Sequence, residues 1–262
     1  MKIISFNVAG LRAMLKKQEF EDFINEPSGD YDIICFQEIK AEESQLILPS
    51  YLDKYLFKYY NSTKGTTQRK GLSGVSIMSK TEPTLVLQCP EFDEEGRILA
   101  LVYEEFILVN VYVPNSQRLE CERYYFRENW NFKFSTYIGE LVNTYKKEII
   151  ICGDFNVAHL DIDIVDPKKK KNKAPGFFNN ERKAFNDLLV FNNLIDVFRK
   201  LNPTQQKSTY WSNFLKSERS EKNGWGIDYY LVTTSIFSRI TDCKIMMNIK
   251  GSDHCPVLLE IK

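Results

Sequence analysis

The chain has 262 residues, 43% of them hydrophobic, and its 35 basic and 35 acidic residues cancel to a formal net charge of zero. That length supports a sizeable buried core, and no stretch approaches the ~18 consecutive apolar residues of a membrane span. The balanced charge argues against a non-specific nucleic-acid coat protein, but it is compatible with a basic rim around an acidic centre.

The chain opens on Met1-Lys2-Ile3-Ile4-Ser5-Phe6-Asn7, which reads as a first strand over 3–7. Its apolar run is too short for a signal peptide, so an intracellular protein is expected, cytoplasmic or, in a eukaryote, nuclear. Residues 11–25 follow with Leu11, Leu15, Phe20, Phe23 and Ile24 at helical spacing. Strand-like runs rich in β-branched and aromatic residues cover 33–37, 74–79, 84–87, 98–102 and 106–111. Residues 122–145 read as one long helix with aromatics along a face, and 149–153 as a strand. The segment 166–173 carries Lys168, Lys169, Lys170, Lys171 and Lys173, a solvated loop or one that contacts phosphate. A short amphipathic helix over 181–192 precedes strands at 228–232 and 255–261. Clustered strands and a few long helices predict a single layered α/β domain over 1–262, sheets inside and helices outside. The six cysteines form no CxxC pair, so free thiols are expected, buried at Cys35, Cys152 and Cys255.

Polar residues recur where apolar strands end. Asn7 ends the first, Glu38 follows Ile33-Ile34-Cys35-Phe36-Gln37, and Asp154 and Asn156 follow Ile149-Ile150-Ile151-Cys152-Gly153. Asp228 follows Gly226-Ile227, and Asp253 and His254 precede Cys255-Pro256-Val257. Taken singly, each has a plain explanation in turn chemistry or surface charge. Together they are the parts for metal-assisted hydrolysis at one rim of a sheet. Asn7 and Glu38 offer the oxygen ligands that a hard cation takes. Asp154 suits positioning or deprotonating a water, and the Asn156 amide suits a phosphate oxygen as charge builds. His254, oriented by a carboxylate, and Tyr112 are placed to touch the same phosphate.

These segments resemble the exonuclease III/AP endonuclease family. The resemblance rests on Ile4-Ser5-Phe6-Asn7-Val8-Ala9-Gly10-Leu11-Arg12, Cys35-Phe36-Gln37-Glu38-Ile39-Lys40, Lys70-Gly71-Leu72-Ser73-Gly74 and Glu95-Gly96-Arg97. It continues through Val111-Tyr112-Val113-Pro114-Asn115, Cys152-Gly153-Asp154-Phe155-Asn156, Gly224-Trp225-Gly226-Ile227-Asp228 and Gly251-Ser252-Asp253-His254. It implies a four-layer α/β sandwich of the DNase I-like type, two packed β-sheets flanked by helices. It implies a Mg²⁺-dependent (or Mn²⁺-dependent) nuclease that cuts duplex DNA 5′ to abasic sites and acts on 3′-blocked ends, as a monomer without a membrane. By position, Asn7, Glu38, Asp154, Asn156, Asp253 and His254 would surround the metal. Tyr112 and Asn115 would contact the phosphate, Asp228 would hold His254, and Asp253 would lie near the metal or leaving oxygen. Lys70, Gly71 and Arg118 would contact DNA, and Tyr210, Trp225 and Ile227 would line an apolar pocket for the flipped sugar. An abasic nucleotide has already lost its stacking, so extruding it costs less than for a paired base.

The sequence departs from the family at Ala9, where relatives carry Asp or Asn, and at Gly226, where many carry Arg. The loop after Asn115 reads Ser116-Gln117-Arg118-Leu119-Glu120 without the usual Gly-Leu pair, and Pro175 precedes Gly176-Phe177 in a loop that touches DNA in relatives. These loops leave open whether 3′–5′ exonuclease activity dominates. A silent DNA-binding protein should lack one of Glu38, Asp154, Asn156, Asp228 or His254, and a lipid- or inositol-phosphate enzyme should not carry the Trp225 and Lys70 segments.

Overall fold

Runs such as Ile3-Ile4 and Ile149-Ile150-Ile151 have no polar face to offer water, and each forms a strand covered on both sides. The computed structural model of the chain describes residues 1–27, 29–63, 71–212 and 218–262. Among them, one six-stranded sheet contains β1 (Lys2–Asn7), β2 (Ile33–Gln37), β3 (Phe57–Asn61), β4 (Val75–Ser79), β11 (Ile240–Ile245) and β12 (Val257–Ile261). The second contains β5 (Leu85–Val86), β6 (Ile98–Val102), β7 (Phe106–Tyr112), β8 (Glu148–Asp154), β9 (Leu194–Asp196) and β10 (Asp228–Thr233). Their orders are β11-β12-β1-β2-β4-β3 and β5-β6-β7-β8-β10-β9.

Three apolar layers hold the sandwich together. Ile3, Cys35, Leu108, Cys152 and Tyr230 fill the space between the sheets. Helices α1 (Leu11–Met14) and α2 (Gln18–Asn25) cover the first sheet with Leu11, Met14, Phe20, Phe23 and Ile24. Helices α3 (Glu122–Tyr145) and α5 (Asn179–Phe191) cover the second with Trp130, Phe134, Ile138, Phe185 and Leu188. The result is the expected order of helix, sheet, sheet, helix. All six cysteines are free, as expected.

The helical pattern over 11–25 is broken in the fold. Residues 11–25 form two helices, with extended backbone at Lys17 (φ −93, ψ 129) between them. At ~100° per residue, a straight helix would put Leu11 and Phe20, nine residues apart, on opposite faces. The break lets both reach the same core. The lysine-rich segment also holds one helical turn, α4 (Pro167–Lys170), and α6 (Val197–Leu201) follows β9.

Candidate active site

Strand direction and register gather the polar strand ends. β1 and β2 run parallel, with Asn7 opposite Gln37, so Asn7 and Glu38 leave the first sheet at the same edge. β7 and β8 run parallel with Tyr112 opposite Asp154, and β10 runs back beside β8 with Asp228 opposite Asp154. Tyr112, Asp154 and Asp228 therefore stand side by side on three neighbouring strands. Beneath them, Gln37 Nε2 donates to Asn110 Oδ1 at 2.7 Å, a buried amide pair that joins the two sheets.

Non-glycine residues with left-handed backbone cluster at this edge: Ala9 (φ 49), Glu38 (φ 57), Lys40 (φ 50) and Asn156 (φ 48). Such conformations persist only where the surroundings over-determine them. Gly153, just before Asp154, meets a harder limit. A Cβ there would lie 1.8 Å from the Val111 carbonyl oxygen, so β8 can approach β7 only with glycine. Ala9 donates its N–H to Asn7 Oδ1 at 3.0 Å, an amide turn that Asp or Asn at position 9 is not needed to make.

Asp154 is the centre of the polar network. Its Oδ1 accepts the Asn156 backbone N–H at 2.8 Å, and its Oδ2 accepts the Asn7 amide at 2.9 Å and the Asn156 amide at 3.3 Å. His254 Nδ1 lies 2.8 Å from Asp228 Oδ2, and its Nε2 lies 3.8 Å from Asp154 Oδ2. Thr209 Oγ1 donates to the same Asp228 oxygen at 2.5 Å. Asn115 Nδ2 donates to Asn156 Oδ1 at 3.0 Å. Burial pushes the Asp154 carboxyl up to about 7, against the pull of His254. Burial alone would lower His254, but Asp228 and then Asp154 outweigh it and raise the imidazole to about 10. Burial and the Glu38 charge hold the Tyr112 phenol well above its ordinary value.

The network opens into a cavity of about 380 Å³. Glu38, Tyr112, Asn115, Asp154, Asn156, Asp253 and His254 form its polar side. Tyr210, Trp225 and Ile227 form its apolar side, backed by Ala158, Ile164 and Phe177. Ten of the residues expected from the sequence thus line one cavity. Asn7 and Asp228 stand behind it, as partners of Asp154 and His254. Arg118 lies on the exposed loop after Asn115, outside the cavity lining. Gly71 packs near the Lys40 carbonyl, and Lys70 falls outside the described residues. Pro175 and Gly176 join the cavity wall, and Lys170 Nζ sits 4.9 Å from the centre of the Trp225 ring. At Gly226 a Cβ would come within 3.1 Å of the Lys207 carbonyl oxygen, so a larger residue after Trp225 would require that backbone to shift by a few tenths of an ångström.

Some groups that shape the site gave no signal in the sequence. Thr209 orders Asp228 from a segment without strand pattern; Ser252, which stood in the Gly251-Ser252-Asp253-His254 segment without a role of its own, donates its Oγ–H to the Asn7 carbonyl at 2.7 Å. Glu95 binds Arg97 Nε at 2.5 Å and both terminal nitrogens of Arg123, while the Arg97 guanidinium stacks 4.5 Å from the Tyr112 ring centre. The Glu95-Gly96-Arg97 motif pointed there without indicating what it supports.

Asp154, Asp228 and His254 place ligand atoms within 4.8 Å of one another, so this buried group has the donors for a metal ion. The imidazole, however, is raised by two carboxylates and behaves as a charged donor. The Glu38 carboxylate faces the cavity with Lys40 Nζ at 2.5 Å. Glu38, Asn7 and Asp253 are oxygen donors of the type that hard cations take, and such a cation suits this set better than it suits the imidazole.

The protonation states can be checked because the chain has only two histidines. Burial, with Arg182 and Arg199, pushes His159 down to about 4, opposite in direction to His254. In EDTA, neither imidazole C2–H resonance should titrate between about pH 5 and 9, although an ordinary histidine has its midpoint near 6.5. A full protonation shift of the His254 ring with its midpoint near neutrality would contradict the raised imidazole, whereas a small step near 7 would report the neighbouring Asp154. The signs for stability are also opposite. The His254 contribution is full below about 6.5 and is lost as pH rises through about 10, whereas that of His159 is full above about 6.5 and is lost as pH falls through about 4.

A family profile for the Endonuclease/Exonuclease/phosphatase family matches residues 4–254. The chain is 39% identical to an exodeoxyribonuclease of Bacillus subtilis, over 100% of this chain and 99% of that one. It is 37% identical to the DNA repair nuclease APEX1 of Danio rerio, over 99% of this chain and 81% of that protein. An AP endonuclease structure from Archaeoglobus fulgidus superposes with a TM-score of 0.85 at 26% identity, covering 100% of this chain and 99% of that one. The strand-end cluster, the two-sheet sandwich and these similarities agree: the chain belongs to the Endonuclease/Exonuclease/phosphatase family.

Proposed function

We propose that the chain is a DNA repair nuclease that hydrolyses the phosphodiester bond 5′ to an abasic site in duplex DNA, leaving a 3′-hydroxyl, with Mg²⁺ as its metal. The observation that carries this is the junction of two surfaces in one cavity. A row in which Asp228 is hydrogen-bonded to His254 and Asp154 lies 3.8 Å beyond the imidazole meets an apolar wall of Tyr210, Trp225 and Ile227. The wall suits a bare deoxyribose. The row suits the adjoining phosphate.

Asp154 receives the proton of the attacking water. A carboxyl with a pKa of about 7 is matched to that task near neutral pH. His254 stays protonated beside it and donates to a phosphate oxygen, held by Asp228. The second N–H of the Asn115 amide and the Tyr112 hydroxyl donate to the remaining oxygens as negative charge builds, while Asn156, whose own amide hydrogens go to Val113 and Asp154, holds the Asn115 amide in place. Glu38, with Asn7 and Asp253, would hold the Mg²⁺. When bound, that ion neutralises charge on the phosphate and the leaving oxygen.

The test is an end-labelled duplex with one central tetrahydrofuran analogue of an abasic site, with Mg²⁺ or with EDTA. The analogue cannot undergo β-elimination, so a central product requires hydrolysis. A single Mg²⁺-dependent incision 5′ to the analogue is expected. The second reading, a mainly 3′–5′ exonuclease, is favoured by the name of the Bacillus subtilis relative. A ladder from the 3′ end without central incision would establish it instead. Glu38→Ala should raise the Mg²⁺ concentration for half-maximal rate roughly tenfold or more, the usual scale for a disturbed metal site. An unchanged titration would remove Glu38 from the ligand set.

A further inference from the structure

We propose that Arg127, together with Glu181, is a positioning residue that sets the Asn115 amide against Asn156 and so fixes the phosphate-facing side of the cavity. The inference rests on the proposed phosphodiester cleavage. Arg127 projects from α3 and is 1% exposed. Its Nη1 donates to the carbonyls of Pro114 at 2.5 Å and Asn156 at 3.3 Å, and its Nη2 to the carbonyl of Phe155 at 2.9 Å. Its Nε donates to Asn131 Oδ1 at 3.2 Å. Glu181 Oε1, from α5, lies 3.8 Å from Nη1 and accepts Ser116 Oγ at 2.6 Å. The other Glu181 oxygen accepts the Phe178 N–H at 2.9 Å.

One guanidinium thus binds both segments that carry the facing amides, 114–116 and 155–156. A helix that only had to cover the sheet would gain more from an apolar side chain here, because a buried charge is costly to desolvate. The planar fork of arginine suits carbonyls arriving from two directions, and a lysine point charge cannot hold all three. Asn156 also keeps a left-handed backbone (φ 48), and the bond from Arg127 to its carbonyl helps to hold it there. Arg127 touches neither the cavity nor any reacting atom, so it acts through Asn115 and Asn156.

The experiment compares Arg127→Lys and Ser116→Ala with wild type on the abasic-analogue duplex, including both phosphorothioate diastereomers at the scissile linkage. A displacement of about 1 Å in a catalytic group can cost on the order of 100-fold in rate. For Arg127→Lys, kcat should fall about 10- to 100-fold with KM changed less than about threefold, and the rate ratio of the two diastereomers should shift. For Ser116→Ala, which removes only one hydroxyl donor to Glu181, a smaller fall of about 3- to 10-fold is expected, with the ratio shifting the same way. If Arg127→Lys fails to fold, Ser116→Ala decides the question. Folded variants with wild-type kcat and an unchanged diastereomer ratio overturn the inference. A wild-type chain that cuts nothing sinks the cleavage reading and this inference with it, whereas an active wild type with unaltered variants sinks the inference alone.

Discussion

Asp154→Asn should lower kcat at least about 100-fold while leaving the fold intact. The carboxylate is buried and receives only donors: the Asn156 N–H, the Asn7 amide and the Asn156 amide, with the charged His254 ring nearby. Replacing one oxygen with NH₂ keeps the shape but sets donor against donor on one side. It also removes a carboxyl whose burial, which penalises the charged form, lifts its pKa to about 7, and losing that penalty offsets part of the loss. The net change in stability should therefore be small, and its pH dependence has a definite sign. A carboxyl raised in the folded state favours folding while protonated and loses that contribution as pH rises through about 7. Asparagine has no such loss, so in EDTA the melting temperature of the variant relative to wild type should rise between pH 5 and pH 8. Single-turnover rates on the abasic-analogue duplex check the first part and thermal melts the second. A variant that cuts at close to the wild-type rate would show that another group takes the proton, and a flat melting difference would deny the raised carboxyl.

The parts of the molecule that were readable in the sequence and the parts that were not divide along physical lines. The central strands were found nearly to the residue, since β2 and β6 are buried at every position and their apolar runs are uninterrupted. The three unrecognised strands, β3, β9 and β11, are all sheet edges. An edge strand keeps water on one side, and Phe57-Lys58-Tyr59-Tyr60 and Thr241-Asp242-Cys243-Lys244 carry the charges that such strands need. Asn7, Glu38, Asp154 and His254 were readable because a carboxylate, amide or imidazole directly beside an apolar strand stands out. Thr209, Arg127 and Glu181 were not. Thr209 sits in an irregular loop, and Arg127 and Glu181 occupy helices where charged residues usually face water, although both are buried here. Their roles follow from which carbonyls and hydroxyls they meet, and spacing along the chain does not carry that information.

Asp228→Asn should cost about 100-fold or more in kcat and should also change the shape of the pH–rate profile. His254 has two opposing influences, burial that favours the neutral ring and the charges of Asp228 and Asp154 that favour the cation. Asp228 Oδ2 is the nearer oxygen, 2.8 Å from Nδ1 against 3.8 Å from Asp154 Oδ2 to Nε2. With the amide in its place, burial gains weight and the imidazole pKa falls toward or below neutrality. At pH 8 the ring is then mostly neutral, and it has lost both its charge and the acceptor that fixed its orientation. Lowering the pH restores the charge, so the variant's rate relative to wild type at the same pH should rise as pH falls toward 6, although protonation of Asp154 slows both. In the wild type His254 is already charged across this range, and only the Asp154 limb shapes the profile. The comparison separates His254 from Asp154, because Asp154→Asn should be slow at every pH while Asp228→Asn should be slow chiefly at high pH. An Asp228→Asn profile parallel to wild type would mean that Asp228 orients the ring without controlling its charge. A variant with the wild-type rate at pH 8 would mean that the cation is not used at all.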